Sequence, residues 1–228
     1  MSLILSIDTA TAVCSVALTQ NGRRLDDIKV KEERSHANLL TLTIQDILKG
    51  NNVGFRELSA IAISQGPGSY TGLRIGVSTA KGLSYTLSIP LIGVSTLKAM
   101  ALEIKESADS EEYFVPMIDA RRMEVYTAVY DFELNEILPI QAKILDEESF
   151  NETLSSHKAL FGGDGSGKFK GLKSADYNAK FLDDLSPSAW AVGLLAFEKF
   201  KENSFEDVAY FEPYYLKEYR ATKAKPLL

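Results

Sequence analysis

Two stretches of the chain, LILSIDTATAVCSVAL at residues 3–18 and FVPMIDARRMEVYTAV at residues 114–129, repeat one pattern. In each, an apolar run of β-branched and aliphatic residues ends in Ile-Asp, a polar turn follows, and a second apolar run returns. Such a repeat indicates an internal duplication. The pattern predicts two lobes, at residues 1–108 and 109–228, each of which opens with an antiparallel pair of strands.

The remainder of the first half alternates strands with helices. The dipeptide Asn21-Gly22 predicts a hairpin turn, so that Arg23–Val30 pairs back as a third strand. Further elements are predicted over His36–Leu48 (helix), Ala60–Ser64 (strand), Gly72–Thr86 (helix), Leu91–Val94 (strand) and Ser95–Glu106 (capped helix). This order predicts a mixed sheet covered by helices.

The second half begins after the polar stretch Asp109–Glu112. Its predicted strands cover 114–118, 125–130, 137–145 and 159–161, and its predicted helices cover 147–154 and 187–200. The last helix starts from Ser186 as N-cap and Pro187 at the first helical position. These assignments give the second half fewer helices than the first.

Composition favours a cytosolic globular protein. Of the 228 residues, 45% are hydrophobic and 25% are charged, which is ordinary for a folded domain. No apolar run approaches the ~20 residues that a membrane-spanning helix needs, and the N-terminus lacks the basic region of a signal peptide. The net charge of −6 disfavours binding of nucleic acid by the chain alone.

The few sulfur and imidazole groups disfavour a zinc site. The chain has one cysteine, Cys14, in an apolar run, and two distant histidines, His36 and His157. We interpret Cys14 as a buried small hydrophobe.

The helix at 36–48 has apolar residues on two sides. Ala37, Leu40, Ile44, Ile47 and Leu48 form one stripe, whereas Leu39 and Leu42 fall outside it. Either the second side meets a partner, or the helix is buried on both sides within one domain.

The helix at 72–86 carries Gly72, Gly76 and Ala80 at intervals of four residues. Glycine in a helix interior costs up to about 1 kcal/mol, so two of them suggest a close packing contact. The contact could be made with another helix of a partner or within the chain. If it is made with a partner, Gly76→Arg is expected to block assembly without unfolding the monomer.

Two turns have the chemistry of phosphate sites. Asp8 ends a strand, and the hydroxyls of Thr9 and Thr11 follow it, a set that can hold a hydrated cation facing a phosphate. Such turns usually have glycine where Ala10 stands, and a strand-end Asp is also an ordinary turn former. The glycines of Gln65–Gly72 permit close backbone approach ahead of a helix N-terminus, which suits an anion, or they form a tight turn that only packs.

Two further segments resemble known binding motifs without matching them. Residues 162–169, GGDGSGKF, nearly spell a phosphate-binding P-loop, but Phe169 replaces the required hydroxyl. Basic and aromatic residues alternate over 214–225, as in nucleic-acid contacts, but we favour a solvated, poorly ordered terminus.

Four segments together, residues 3–11, 65–83, 89–97 and 118–122, resemble the TsaB family, also called YeaZ. The block RIGVSTAKGL at 74–83 is the most specific, and the resemblance weakens beyond about Tyr130. It implies an α/β, actin-like (ASKHA, ribonuclease H-like) duplicated fold of two lobes, each with a mixed β-sheet and helices.

The resemblance extends to TsaD, the catalytic paralogue, which carries two metal-binding histidines four residues apart on a helix. By spacing, the corresponding positions here are Thr96 and Met100. Threonine is a poor ligand for a transition metal and methionine prefers soft ions. The resemblance therefore implies a non-catalytic subunit without a catalytic metal.

The family further implies a degenerate nucleotide cleft and a helical interface. The cleft residues would be Asp8, Thr9, Thr11, Gly66, Gly68, Asp119 and Gly163. The interface residues would be His36, Leu39, Leu42, Gly72, Leu73, Gly76 and Ala80. No cofactor is required on this interpretation, and an adenine nucleotide would bind weakly.

The implied function is that of a cytoplasmic scaffold in tRNA threonylcarbamoyladenosine synthesis. Its partners would be TsaD in a heterodimer, the ATPase TsaE, a second copy when alone, and tRNA only within the complex. Two alternatives remain open: an autonomous actin-like ATPase or kinase, and a peptidase.

Overall fold

The computed structural model describes residues 2–31, 36–108, 112–173 and 175–217. Its first half contains strands β1 (Leu3–Asp8), β2 (Val13–Gln20), β3 (Arg23–Lys31), β4 (Ala60–Gly66) and β5 (Leu91–Ser95) and helices α1 (His36–Gly50), α2 (Tyr70–Leu87) and α3 (Thr96–Lys105). Its second half contains strands β6 (Glu112–Asp119), β7 (Glu124–Tyr130), β8 (Glu136–Ile144), β9 (Lys158–Gly162) and β10 (Ala179–Leu182) and helices α4 (Asn151–Ser156), α5 (Ser166–Lys173) and α6 (Ala189–Lys201).

The two halves have the same sheet topology, which confirms the duplicated actin-like fold. The first sheet has the order β3-β2-β1-β4-β5 and the second has the order β10-β9-β6-β7-β8, so that each strand of one sheet has a counterpart in the other. In both sheets the opening strand pairs antiparallel with the next strand and parallel with the fourth. The residues Asn21 and Gly22 have φ of 49° and 74°, as the predicted hairpin turn requires.

The elements stack in five layers. Helices α1 and α2 cover one face of the first sheet, and the apolar stripe of α1 is buried there, as predicted for Leu40, Ile44, Ile47 and Leu48. Helices α3 and α6 form the middle layer between the two sheets. Helices α4 and α5 lie on the outer side of the second sheet.

The division of the chain at residue 108 does not describe the second lobe fully. Helix α6 follows β10 in the chain but packs on β1, β2, β4 and β5 of the first sheet, where Trp190 and Val192 are buried beside Ile4. Its apolar face therefore completes the core of the first lobe. The segment after α6 also returns to the first lobe, because Glu206 forms an antiparallel bridge with Leu91.

The second half departs from the sequence prediction in its helices. Helix α5 and strand β10 were not predicted, and the described residues hold three α-helices in each half, with a further 3-10 helix at Phe55–Glu57 in the first. Helix α5 has the weak helical sequence SGKFKGLK, with two glycines in eight residues. Helix α6 begins at Ala189 with Ser188 as its N-cap, two residues after the predicted start at Ser186-Pro187.

The described residues include no helix that is both long enough and apolar enough to cross a membrane. Of the basic and aromatic segment 214–225, the part up to Lys217 is described and packs on the rest of the chain, while 218–225 lies outside the described residues.

Candidate functional site

The β1–β2 turn is closed by its own side chains. Asp8 is fully buried, and its Oδ1 accepts the Ala10 N–H at 2.9 Å. The Thr11 hydroxyl accepts the Val13 N–H at 3.3 Å, and the Thr9 hydroxyl donates to the Gly72 carbonyl at 2.8 Å. The three side chains that sequence assigned to phosphate binding therefore bond within the chain.

The glycine-rich loop after β4 lies directly against this turn. The Ser69 N–H donates to the Ala10 carbonyl at 2.7 Å, and Gly68 is so close that a Cβ there would lie 2.5 Å from the same oxygen. The structure thus brings Asp8, Thr9, Thr11 and the loop from Gly66 to Gly72 together.

The corresponding turn of the second lobe is held by an ion pair. Lys168 Nζ lies 2.7 Å from Asp119 Oδ1, which also accepts the Arg121 N–H at 2.6 Å. The Asp119 N–H donates to Asp164 Oδ1 at 2.8 Å. Lys168 of the P-loop-like segment 162–169 thus bonds to the chain itself.

Thr96 and Met100 occupy the floor between the two lobes. Both are fully buried on α3. The Thr96 hydroxyl accepts the Gly66 N–H at 3.1 Å, and Met100 Cε lies 2.5 Å from where a Cβ of Gly163 would stand. Among the described residues, no group of three or more His, Cys, Asp or Glu side chains could hold a metal ion.

A buried polar row on the inner face of the first sheet was missed by sequence reasoning. The strand register places Lys29, Ser15, Asp8 and Ser64 side by side across β3, β2, β1 and β4. Glu103 of α3 approaches this row, and its Oε2 lies 3.4 Å from Lys29 Nζ. The separation of these residues along the chain leaves no local signal for the cluster.

Asp8 in this row and Glu103 beside it both have a raised pKa. Burial raises the pKa of Asp8 to about 6, although the Ala10 N–H, the neighbouring Ser64 hydroxyl and the Lys29 ammonium oppose the shift. Burial likewise raises the pKa of Glu103 to about 8, against the attraction of Lys29. Buried polar atoms with no hydrogen-bond partner among the described residues concentrate in this layer: Ser6 Oγ, Asp8 Oδ2, Thr19 Oγ1, Ser64 Oγ, Glu103 Oε1 and Ser188 Oγ.

The residues at the cleft do not fit a tightly held magnesium nucleotide. Asp8 is enclosed and has no route to an outside cation, and Ala10 places a side chain against Gly68 where a phosphate would need open backbone. The Ala10 N–H and the Thr9 hydroxyl already donate within the chain.

The second group of predicted residues belongs to α1 and α2. On α1, Leu42 is 57% exposed and Leu39 is half-buried, so the helix is not buried on both sides. The side chain of His36 lies outside the described residues.

The glycine face of α2 points inward, which corrects part of the predicted interface. Gly72, Leu73, Gly76 and Ala80 are all buried in the monomer. A Cβ at Gly76 would overlap Thr9 Oγ1 and lie 3.0 Å from Ile63 Cδ1. The small residues therefore let α2 approach the β1–β2 turn and β4, and the intramolecular alternative for this face is the correct one.

The outer face of α2 was not predicted as an interface. Tyr85 is 80% exposed there. Gly82 is also exposed, and a Cβ added to it would meet nothing within 4 Å. We call Leu42, Ser78, Gly82 and Tyr85, with the half-buried Leu39, the outer face of α1 and α2. A glycine there leaves room for an approaching helix.

A cavity of about 590 Å³ lies elsewhere, on the second lobe beside Tyr113, Phe132 and His157. None of the residues assigned to a site from the sequence lines it.

The two repeated lobes and their paired turns define a protein of the actin-like class. Comparison with solved structures agrees. The activator of the 2-hydroxyisocaproyl-CoA dehydratase from Clostridium difficile superposes with a TM-score of 0.55 at 10% identity, over 89% of this chain and 97% of that one. A likeness at that identity shows the fold alone.

More specific relatives identify the family. The family profile described as TsaD, tRNA N6-adenosine threonylcarbamoyltransferase, matches residues 30–225. YeaZ from Pseudomonas aeruginosa superposes with a TM-score of 0.78 at 28% identity, over 95% of this chain and 100% of that one. The chain belongs to the TsaD family and, within it, to the TsaB (YeaZ) proteins.

The sequence match to a curated relative is partial. The chain is 40% identical over 134 residues to the tRNA threonylcarbamoyladenosine biosynthesis protein TsaB of Escherichia coli. The match spans 59% of this chain and 57% of that protein.

Proposed function

We propose that the chain is a non-catalytic scaffold subunit in the synthesis of threonylcarbamoyladenosine on tRNA, and that it acts in the cytoplasm by docking a TsaD-type paralogue. Family membership supports the pathway, because the name of the E. coli relative assigns that protein to the same biosynthesis. The remaining question is what the chain contributes within it.

The proposal that the chain is non-catalytic rests on the contacts of Thr96 and Met100. A catalytic metal would need ligands at these positions, which project from one face of α3. Here the Thr96 hydroxyl accepts the Gly66 N–H and the Met100 thioether fills the space beside Gly163. Thr96 thus bonds within the first lobe, Met100 packs across to the second lobe, and neither side chain is free to bind an ion.

The outer face of α1 and α2 supports docking. Exposed Leu42 and Tyr85 lie on helices that pack side by side, and Gly82 leaves a shallow gap there. Two helices that present such a face can form a four-helix contact with the matching helices of a paralogue of the same fold. The same face would form a homodimer when the chain is alone.

The wider assembly follows from the same proposal. A TsaE-type ATPase would join through TsaD, and tRNA would be bound only within the complex, since a net charge of −6 disfavours binding by this chain alone. The scaffold role needs no cofactor, and an adenine nucleotide would bind weakly at most.

The test is reconstitution. Purified chain, its TsaD partner and a TsaE-type ATPase are supplied with tRNA and threonylcarbamoyl-adenylate, and transfer to tRNA is measured with each protein left out in turn. The expected result is no transfer by this chain alone and loss of transfer when it is omitted. Full transfer by the other two proteins without it would refute the proposal, and the mass of the mixed complex tests docking directly.

The alternative of an autonomous ATPase is tested by calorimetry with Mg-ATP. That function requires micromolar binding and turnover, both lost in Asp8→Ala. Burial of Asp8 argues against it, because the carboxylate cannot reach a solvent-exposed cation. A peptidase would have to cleave peptide in the presence of chelators and of inhibitors of contaminating proteases.

A further inference from the structure

Residues 206–217, here called the strap, run back along the first lobe after α6. Glu206 pairs with Leu91 at the free edge of β5. The ammonium of Lys81 on α2 donates to the carbonyls of Ala209 at 3.1 Å and Phe211 at 2.8 Å. These contacts fix the path of a segment that has a turn at residues 208–210 and no helix or strand of its own.

The strap is anchored at the start of α2. The Tyr215 ring packs on Tyr70 with centroids 4.9 Å apart. Arg74 lies over the same Tyr70 ring at 4.2 Å and donates from Nε to Tyr215 Oη at 3.3 Å. Arginine and aromatic faces attract one another even when exposed, so the three side chains form one stack across the strap and the helix.

Gly66 makes room for the anchor. The Tyr214 N–H donates to the Gln65 carbonyl at 2.7 Å. A Cβ at Gly66 would lie 2.5 Å from the Tyr214 carbonyl oxygen, and the φ of Gly66 is +117°. A residue with a side chain would be strained in that conformation and would push the strap away.

The end of the strap reaches the second lobe. Lys217 forms an ion pair with Glu124, the first residue of β7, whose side chain is 20% exposed. The backbone carbonyl of Glu124 accepts a hydrogen bond from Lys168 at 3.0 Å, so the pair is continuous with the Lys168–Asp119 contact. One segment is therefore bound to the β4–α2 junction of the first lobe and to the β6–β7 junction of the second.

We propose that the strap sets the angle between the two lobes, with the Tyr70–Arg74–Tyr215 stack as its fixed anchor and the Lys217–Glu124 pair as a releasable latch. The difference in strength follows from the contacts. The anchor combines a backbone hydrogen bond with ring packing, whereas a partly exposed ion pair shifts an equilibrium by only about fivefold. The latch therefore opens first, and the inference does not depend on the proposed function.

The test measures the distance between the lobes in the full-length chain. Spin labels are attached at the exposed positions Lys49→Cys on α1 and Ser155→Cys on α4. Cys14 does not compete for label, because it is buried and burial raises its thiol pKa to about 11. Pulsed electron resonance then gives the distribution of distances between the lobes.

Charge exchange separates the latch from general destabilisation. Lys217→Glu is expected to broaden the distribution, and the double variant Lys217→Glu with Glu124→Lys is expected to restore its width. Lys170→Glu, which breaks a comparable ion pair with Asp183 inside the second half, is the control and is expected to change nothing. An unchanged distribution in Lys217→Glu, or no recovery in the exchanged pair, would overturn the proposal.

Hydrogen exchange gives a second readout. The Tyr214 amide is expected to exchange severalfold faster in Tyr215→Ala than in Tyr215→Phe, since the latter keeps the ring on Tyr70. Equal rates in the two variants would exclude the stack as the anchor.

Discussion

Thr96 and Met100 stand one helical turn apart on α3, and each touches the glycine loop of a different lobe. Thr96 accepts a hydrogen bond from Gly66, while Met100 packs against Gly163. The two positions that the resemblance matches to the metal-binding histidines of TsaD thus contact the glycine loops of the two lobes.

Removing the Thr96 hydroxyl is expected to destabilise the fold. Thr96→Val leaves the Gly66 N–H without its acceptor and lowers the free energy of unfolding by about 1–3 kcal/mol. Thr96→Ser keeps the hydroxyl and is expected to cost less. Denaturant unfolding of both variants checks this. A loss in Thr96→Ser as large as that in Thr96→Val would contradict the prediction, because packing of the methyl group would then matter at least as much as the hydrogen bond.

The two glycines of α2 are expected to respond in opposite ways to alanine. Gly76→Ala overlaps Thr9 and Ile63 and is expected to cost about 1–3 kcal/mol. Gly82→Ala meets open space and gains helix propensity, up to about 1 kcal/mol of stability. The denaturant midpoints of the two variants, compared with that of the unmodified chain, test both expectations. A stable Gly76→Ala variant would contradict the inward orientation of this helix face.

The earlier expectation for Gly76→Arg changes accordingly. The guanidinium side chain cannot enter the space beside Thr9, so loss of assembly in that variant would reflect an unfolded monomer. A substitution on the exposed side of α2 is therefore a better test of the interface than Gly76→Arg.

Gly82→Arg is expected to weaken docking at the outer face of α1 and α2 without loss of monomer stability. We expect at least a tenfold higher dissociation constant for the complex with the proposed TsaD-type partner, because a long charged side chain would occupy the space that Gly82 leaves open. Gly171→Arg is the matched control, since Gly171 is an exposed helical glycine with nothing within 4 Å on the second lobe. Sedimentation or calorimetry gives the dissociation constant of both variants. If Gly82→Arg bound as tightly as Gly171→Arg, the interface would lie elsewhere.

The buried carboxyls predict that stability falls as pH rises. Asp8 and Glu103 have pKa values raised from 3.8 to about 6 and from 4.5 to about 8, so the folded chain holds protons that the unfolded chain releases. Their stabilising contribution is complete below the unfolded pKa values and is lost as pH passes through 6 and then 8. Between the unfolded and the folded pKa of each group, the free energy of unfolding falls by about 1.4 kcal/mol for each unit by which the pH rises.

Glu103→Gln tests this linkage, because the amide has nearly the same shape and does not titrate. Between pH 6 and 8 its stability is expected to depend less on pH than that of the unmodified chain. If the free energy of unfolding changed equally with pH in the variant and in the unmodified chain, Glu103 would not be the titrating group.

The duplicated fold could be predicted from the sequence because its signals are local. Alternation of apolar residues marks the strands at 3–18 and 114–129, and the Ile-Asp pairs mark equivalent strand ends. The turn Asn21-Gly22 and the cap Ser95 likewise depend only on near neighbours. Helix α5 was not predicted because Gly167 and Gly171 lower its helix propensity. Burial of Phe169 stabilises the helix in the folded chain.

The partner of a surface could not be predicted in the same way. Gly72 and Gly76 indicate that something comes close, but the absence of a side chain does not reveal whether it is another subunit or Thr9 of the same lobe. The Lys29–Glu103 contact and the Lys217–Glu124 pair join residues 74 and 93 positions apart. Only the assembled layers bring such groups together.

The return of α6 to the first sheet has a consequence for biosynthesis. While the chain is being made on the ribosome, the inner face of that sheet stays uncovered until residue 201 has left the exit tunnel. A nascent chain of the first hundred residues would thus expose Ile4, Ala17 and Ile92 to the cytosol, as a ready substrate for chaperones. The first lobe of this protein therefore cannot complete its core before the second has been synthesised.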